Sequence, residues 1–281
     1  MGKDSRFILT SEKKQGVVFA SNKGFELAKG EYVARMDADD FAFPTRLEKQ
    51  VEFLDDNTEY DVVAGLVEYI PHTDQTDGFK RYVEWSNSII LYEDIIKKQF
   101  VEMPIVNPTA MWRKVVGRKL GMYRDGAFPE DYEMCLRWLS RGIKIAKVPD
   151  VVLKWYDSEN RLTRTDSKYS DEAFFKIKTL YLAKWLQQNN PFHPNVVVWG
   201  ASKVSRKRTI PLKENGVEIE FYIDIKKRTN LDREVIHFEK IPSSDKIFIL
   251  VYMKQQNARK EIQDFLKERK FIEGKNYLLV S

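Results

Sequence analysis

Gly30-Glu31-Tyr32-Val33-Ala34-Arg35-Met36-Asp37-Ala38-Asp39-Asp40-Phe41-Ala42-Phe43-Pro44-Thr45-Arg46 is the stretch whose reading decides the fold. Its apolar members Tyr32, Val33, Ala34 and Met36 predict a buried strand. The run stops at three carboxylates, Asp37, Asp39 and Asp40, and a helical pattern begins behind Pro44. Carboxylates at the carboxyl end of a strand in an α/β sheet stand where such sheets bind ligands. Acids one residue apart can hold a hard divalent cation between protein and phosphate oxygens. They can equally cap a helix, and Asp39 or Asp40 would then serve the helix that Pro44 opens. The stretch alone leaves both readings open.

Upstream, Arg6 to Leu9 reads as a strand, Ser11 to Gly16 as a loop and Val17 to Ala28 as a helix that Gly30 stops. Downstream, Leu47, Val51 and Leu54 recur at helical spacing, and Asp61 to Val67 is a further strand. Residues 71–88 are polar and turn-rich and read as a loop, and 89–99 as a helix. Asn107 to Arg113 is a strand entered from a proline turn. Residues 131–141 form an amphipathic helix with Tyr132, Cys135, Leu136 and Leu139 on one face, ended by Gly142. Short strands follow at 143–148 and 151–155, then a polar loop over 157–170. Such alternation argues a layered α/β fold.

A long helix from about Ser170 to Gln188 ends at Asn189-Asn190-Pro191-Phe192-His193-Pro194, which marks a domain boundary. The predicted organisation is a first domain over 1–170, a helix and linker over 171–194, and a small Rossmann-like domain over 195–281. In that last domain 195–199, 217–225 and 246–253 read as strands, and 203–215 and 257–270 as helices. Trp199-Gly200-Ala201-Ser202-Lys203-Val204-Ser205 occupies the place of a glycine-rich nucleotide turn but keeps only the first glycine. Asp224 ends the next strand, where that fold places a ribose-binding acid. Ser202 would crowd a pyrophosphate, so the expectation is a domain that keeps the fold without binding a dinucleotide.

The 281 residues carry a net charge of +5 and are 43% hydrophobic and 32% charged, which suits one large or two ordinary folded domains. No run approaches a transmembrane helix, no signal peptide is visible at Met1, and the single Cys135 fits a reducing, cytoplasmic setting. The excess charge permits weak contact with the inner face of an anionic membrane, and no motif supports nucleic-acid binding. Lys203, Arg206, Lys207, Arg208, Lys226, Lys227 and Arg228 are either a patch for anionic lipid or polymer or a solvated face.

Asn22-Lys23-Gly24 in the first helix, Gly30-Glu31-Tyr32 and Asp37-Ala38-Asp39-Asp40 resemble the ordered motifs of family 2 glycosyltransferases of the GT-A fold. The resemblance continues through Asn107-Pro108-Thr109, Gly121-Met122-Tyr123, Glu130-Asp131-Tyr132-Glu133 and Gly142-Ile143-Lys144-Ile145, and covers roughly residues 6–170. It implies an incomplete Rossmann-type mixed sheet. It also implies an inverting, metal-dependent transfer of a sugar from a nucleotide-diphosphate donor to a hydroxyl on a glycan or lipid-linked acceptor, in surface polysaccharide or glycoconjugate synthesis. By resemblance Asp39 is the ligand of Mn2+ or Mg2+, Asp37 binds ribose or the metal shell, and Asp40 lies behind it or at the donor sugar. Asp131 is then the general base, with Glu130 as its alternate or an acceptor group, and Arg161 and Arg164 clamp the leaving diphosphate. No histidine lies between His72 and His193, so Asp157 is expected to complete the metal site.

Local chemistry offers a plainer role for Glu130 and Asp131, since acids at a helix N-terminus stabilise its dipole. At the front of the chain the family's first strand-helix-strand unit, on the order of 30 residues, has no counterpart ahead of Arg6. Either the sequence starts within a longer protein or, if it is whole, the resemblance predicts a donor pocket short of one wall and an exposed sheet edge prone to self-association. A non-catalytic binding protein and a nucleotide-binding module built on the C-terminal domain are the alternative functions.

Overall fold

The computed structural model describes residues 4–73, 77–159, 161–226 and 228–281; Lys227 and part of the 71–88 stretch lie outside them. The first sheet contains β1 (Tyr32–Ala34), β2 (Phe41–Ala42), β3 (Val62–Ile70), β4 (Met111–Arg113) and β5 (Ile145–Tyr156). Their spatial order is β1-β4-β3-β5-β2. The central pair β3 and β5 is parallel, and the outer pairings are antiparallel. Val62, Val63 and Ala64 are buried because helices cover both faces of the central strands. This is the mixed α/β sheet the sequence leads one to expect.

The helices around this sheet are α1 (Val17–Leu27), α2 (Arg46–Asp56), α3 (Asp77–Asn87), α4 (Tyr92–Lys98), α5 (Lys114–Leu120), α6 (Glu130–Leu139) and the short α7 (Leu162–Thr165). Helix α6 buries Tyr132, Met134, Cys135, Leu136, Trp138 and Leu139. Trp138 meets Trp112 of β4 edge to face, with ring centroids 5.7 Å apart. Each such aliphatic side chain taken from water stabilises the fold by about 1.5–3 kcal/mol.

Two strands were expected over 143–148 and 151–155; the structure has one strand with a bulge. Gly65 pairs with Val148 and Leu66 with Val151, so Pro149 and Asp150 stand out of register. Pro149 has no N–H to contribute to a ladder, which makes it a natural bulge residue. Opposite, a Cβ on Gly65 would come within 2.4 Å of Val152 Cγ2, so the strands close only over a glycine.

The second sheet contains β6 (Asn195–Trp199), β7 (Glu218–Asp224), β8 (Val235–His237), β9 (Ile249–Val251) and β10 (Tyr277–Leu279), all parallel, in the order β10-β9-β6-β7-β8. With α9 (Lys203–Glu214) and α10 (Gln256–Glu268) it is a small doubly wound unit whose strand order reverses between β6 and β9. The short β8 and β10 were not anticipated. Helix α8 (Asp171–Asn189) joins the two sheets, packing on α6 and on α9, and Phe175 stacks on Tyr252 at 6.2 Å. One continuous apolar core includes Ala64 and Trp112 of the first sheet and Val198 and Leu250 of the second.

Three local expectations need correction. Arg6 to Leu9 is not a strand: Phe7 is 79% and Leu9 80% exposed, and among the described residues no strand pairs with them. A single extended segment has no ladder of its own. Residues 77–87 are helix α3 rather than loop, because Val83 and Ser86 turn inward while Phe79, Tyr82 and Trp85 pack beside them. The loop over 157–170 contains the turn of α7.

Candidate active site

The strand that opened the reading is shorter and less buried than predicted, since β1 stops at Ala34, none of its three residues is buried and Met36 is exposed; its acids do not cap the next helix. Helix α2 starts after Thr45, and β2 intervenes between it and the acids. Asp37 and Asp39 instead line an open cavity of about 600 Å³. Asp37, Asp39, Glu130, Asp131 and Arg161 all line it, from segments up to 124 residues apart. Asp40, Asp157 and Arg164 stand outside its lining.

A buried polar frame holds the Asp segment. Arg46 on α2 donates to the carbonyl of Arg35 at 2.7 Å and to Gln50 at 3.0 Å, and Gln50 donates to the carbonyl of Thr109 at 2.7 Å. Burial pulls the Arg46 guanidinium down to about 10. Asn22 on α1 grips Tyr123, donating to its carbonyl at 2.9 Å and accepting its N–H at 3.2 Å. The Asn-x-Gly and Gly-Met-Tyr segments are thus one tie between α1 and the chain ahead of α6, and the Tyr123 hydroxyl donates to Asn107 on the cavity wall at 3.2 Å. Behind α6, Arg137 pairs with Glu133 at 3.0 Å and donates to the carbonyls of Gly121 and Met122 at 2.9 and 2.6 Å. Tyr181 of α8 donates to Glu133 at 2.6 Å.

Arg35 is a site residue that sequence reasoning missed. It lines the cavity and pairs with Asp37 at 2.5 Å. Burial disfavours its charge, but Asp37 and Tyr123 together outweigh this and leave the guanidinium above its ordinary value. Its Nε is buried without a partner. Its position inside an apolar strand pattern gave no signal of this role.

Glu130 and Asp131 are inequivalent. Tyr169 donates to both Glu130 carboxylate oxygens, at 2.9 and 2.7 Å, and Lys168 stands 3.6 Å away. Asp131 accepts the Tyr132 N–H at 2.7 Å. Burial, followed by the charge of Glu130, pushes the Asp131 carboxyl up to about 7. The two backbone N–H groups and Arg35 oppose this without reversing it. Burial therefore overrides the helix N-terminus.

Asp157 was expected as a metal ligand, and the structure gives its carboxylate another occupation. Arg164 makes a two-pronged contact with it at 2.9 and 2.7 Å, Arg161 stands at 3.1 Å, and Tyr69 donates at 2.8 Å. Burial raises this acid, but the bonds from Arg164 and Tyr69 outweigh it and hold the carboxyl below its ordinary value. Both oxygens are committed to arginines and a tyrosine, so Asp157 orients Arg161. That guanidinium also lies 4.0 Å over the Trp155 ring and donates to the carbonyl of Tyr156 at 2.7 Å. Arg164, engaged with Asp157, is its support.

Asp40 accepts the Tyr156 N–H at 3.0 Å through one oxygen, and its other oxygen is buried without a hydrogen-bond partner. Burial pushes this carboxyl up to about 6. Among the described residues no three His, Cys, Asp or Glu side chains converge as a complete cation site. Mg2+-like ions are commonly held by one or two carboxylates, with substrate phosphates and water completing the shell. Asp37 and Asp39 on the wall, with the orphaned Asp40 oxygen behind, fit a cation of that shared kind.

In the second sheet Ser202 caps α9 by accepting the Ser205 N–H at 3.1 Å. Asp224 accepts from the Ala201 and Lys226 N–H groups at 3.1 and 3.0 Å and from Arg228 at 3.0 Å. Gly200, Ser202 and Asp224 line an open cavity of about 550 Å³ at this turn. No helix among the described residues is long and apolar enough to cross a membrane.

An uncharacterized glycosyltransferase of Methanocaldococcus jannaschii is 28% identical over 200 residues, which are 70% of this chain and 65% of that protein. The amylovoran biosynthesis glycosyltransferase AmsE of Erwinia amylovora is 32% identical over 151 residues, 52% of this chain and 53% of its own. The solved structure of Staphylococcus aureus TarS in complex with UDP-GlcNAc aligns with a TM-score of 0.43 and 17% identity, covering 59% of this chain and 45% of that one. The chain spans between half and two thirds of the length of these two curated relatives. The model of glycosyl transferase family 2 matches residues 2–119 of this chain.

Proposed function

We propose that the cavity transfers a sugar from a nucleotide-diphosphate donor to a hydroxyl acceptor, with inversion, in polysaccharide or glycoconjugate synthesis. The observation that carries this is the joining of Asp37, Asp39 and Arg161 with Glu130 and Asp131 around one open space. Asp131 is the general base. A carboxyl poised at about 7 can take a proton from an acceptor hydroxyl near neutral pH, where an ordinary carboxylate is too weak. Glu130, held by Tyr169 and Lys168, keeps that carboxyl high and orients the acceptor. Arg161, braced by Asp157 and Trp155, meets the leaving diphosphate. Asp37 and Asp39 would hold a divalent cation, which when bound offsets the charge that grows on the leaving group. The biosynthetic setting is supported by the family and by the printed role of the Erwinia relative.

The test is release of nucleoside diphosphate from a panel of nucleotide sugars in the presence of Mn2+ and mixed glycan acceptors. Turnover by the native chain and at least a hundredfold loss in Asp131→Asn, with donor binding intact, is the expected result. Equal turnover by Asp131→Asn would remove Asp131 from the reaction.

A further inference from the structure

A second cavity, of about 540 Å³, lies between the two halves of the chain. Tyr82, Glu102, Tyr169 and Phe174 line both it and the candidate active site, so the two spaces share a wall. Cationic side chains reach it from four helices and a loop: Arg81 on α3, Lys178 on α8, Arg208 on α9, Arg259 on α10, and Lys254 just ahead of α10. The acidic side chains lining it are Glu102 and Asp171, and Asp171 is paired with Arg208 at 2.9 Å. Cations therefore outnumber acids in a partly enclosed space.

The grouping is costly as it stands. Lys178 is buried and donates to the carbonyls of Val101 and Val280 at 3.2 and 2.7 Å. Burial pulls its ammonium down to about 7; Glu102 opposes this, and neighbouring Arg208 and Arg259 add to it. Lys178 and Arg208 both lie over the Phe175 ring, at 4.0 and 4.6 Å. Arg259 is partly buried, and burial lowers it with no opposing charge. Among the described residues it has no ion pair or side-chain hydrogen bond. A desolvated guanidinium is normally paired, and guanidinium forks match phosphate oxygens. An anion entering here would bring together cations that otherwise repel one another.

Tyr169 connects this space to the chemistry, because the same side chain holds Glu130 beside Asp131. The anion would thus sit next to the base, away from the Asp37, Asp39 and Arg161 group. We infer that the cavity between the two halves binds a phosphate or diphosphate group carried by the sugar acceptor, with Arg259 as its central contact. The inference rests on the transferase reading for the word acceptor. The phosphate chemistry rests on the cavity alone.

Calorimetric titration of the full chain with inorganic pyrophosphate, in EDTA so that no divalent cation takes part, tests it. Binding is expected to weaken at least tenfold in Arg259→Gln and to change less than twofold in Arg161→Gln, the donor-side arginine. Arg259→Gln should melt at or above the native temperature in buffer, since it removes an unpaired charge, so lost binding will not reflect lost folding. Arms with farnesyl diphosphate and glucose 1-phosphate separate a lipid-borne from a sugar-borne phosphate: the probe that binds tenfold tighter names the source. No pyrophosphate binding, a greater loss in Arg161→Gln than in Arg259→Gln, or citrate bound as tightly as pyrophosphate would overturn the inference. Failure of the transferase reading is separately visible as intact pyrophosphate binding with no nucleoside diphosphate release from any donor, and it would strike the acceptor from the claim.

Discussion

Replacing Asp131 by asparagine should make the protein more stable above neutral pH while it abolishes transfer. In the unfolded chain this carboxyl titrates near its ordinary 3.8; in the fold, burial and then the charge of Glu130 carry it to about 7. An acid displaced upward is penalised by folding wherever the unfolded chain would ionise it. The penalty is absent below about pH 4. It grows by about 1.4 kcal/mol per pH unit up to about 7 and is constant beyond. The full displacement corresponds to on the order of 4 kcal/mol at pH 8. Sharing of one proton with Glu130 reduces this, so about 2–4 kcal/mol is expected. Asparagine keeps an oxygen to accept the Tyr132 N–H, so the helix start is preserved. Urea unfolding of both proteins at pH 5.5 and pH 8 measures the effect. The variant should lead at both values, with the gap wider by about 2 kcal/mol at pH 8 and an unchanged urea slope. An Asp131→Asn protein equal to or less stable than the native one at pH 8 would refute the argument that Asp131 is a strained, functional acid.

Other substitutions probe the frame. Gly65→Ala should lower stability by about 1–3 kcal/mol, because its Cβ would meet Val152 at the β3–β5 bulge; thermal melting reads it. Arg137→Met leaves the Glu133 carboxylate buried beside Tyr181 with only the exposed Arg124, at 3.5 Å, as a cation. It should cost about 3–5 kcal/mol, seen as loss of cooperative unfolding near ambient temperature. Arg161→Gln should weaken nucleoside diphosphate binding by about 1.5–3 kcal/mol in calorimetry, with little change in melting temperature.

The parts of this molecule legible in the sequence are those whose signal is local. Helix α6 carries an apolar face at helical spacing, α8 is a long run without Gly or Pro, and the Asp37–Asp40 run follows a short apolar stretch, so both the elements and the acids could be placed. Arg6 to Leu9 has the composition of a strand, but pairing needs a partner that composition does not reveal. Helix α3 was hidden by the polar residues ahead of Phe79, since its apolar face is short and needs the sheet to show which side is inward. Among site residues, Asp131 could be named but its elevation could not be derived. At a helix N-terminus alone it would be lowered, and only burial beside Glu130 reverses the sign. The engagement of Asp157 with two arginines and Tyr69 was not legible because these partners reach it through tertiary structure. Arg35 went unseen because inside an apolar run a charged residue reads as an edge position rather than as the partner of Asp37.

The account stands most directly on a thermal-shift titration of the full chain with a panel of nucleotide-diphosphate sugars, with and without Mn2+, in the native protein and in Asp39→Ala. A donor at a hundred times its dissociation constant stabilises by about 2.7 kcal/mol, which for a chain of this size is a shift of roughly 5–10 °C. The account predicts such a shift for at least one donor, dependent on Mn2+ and lost in Asp39→Ala. A panel without any shift, or a shift that Asp39→Ala and metal removal leave untouched, would contradict it.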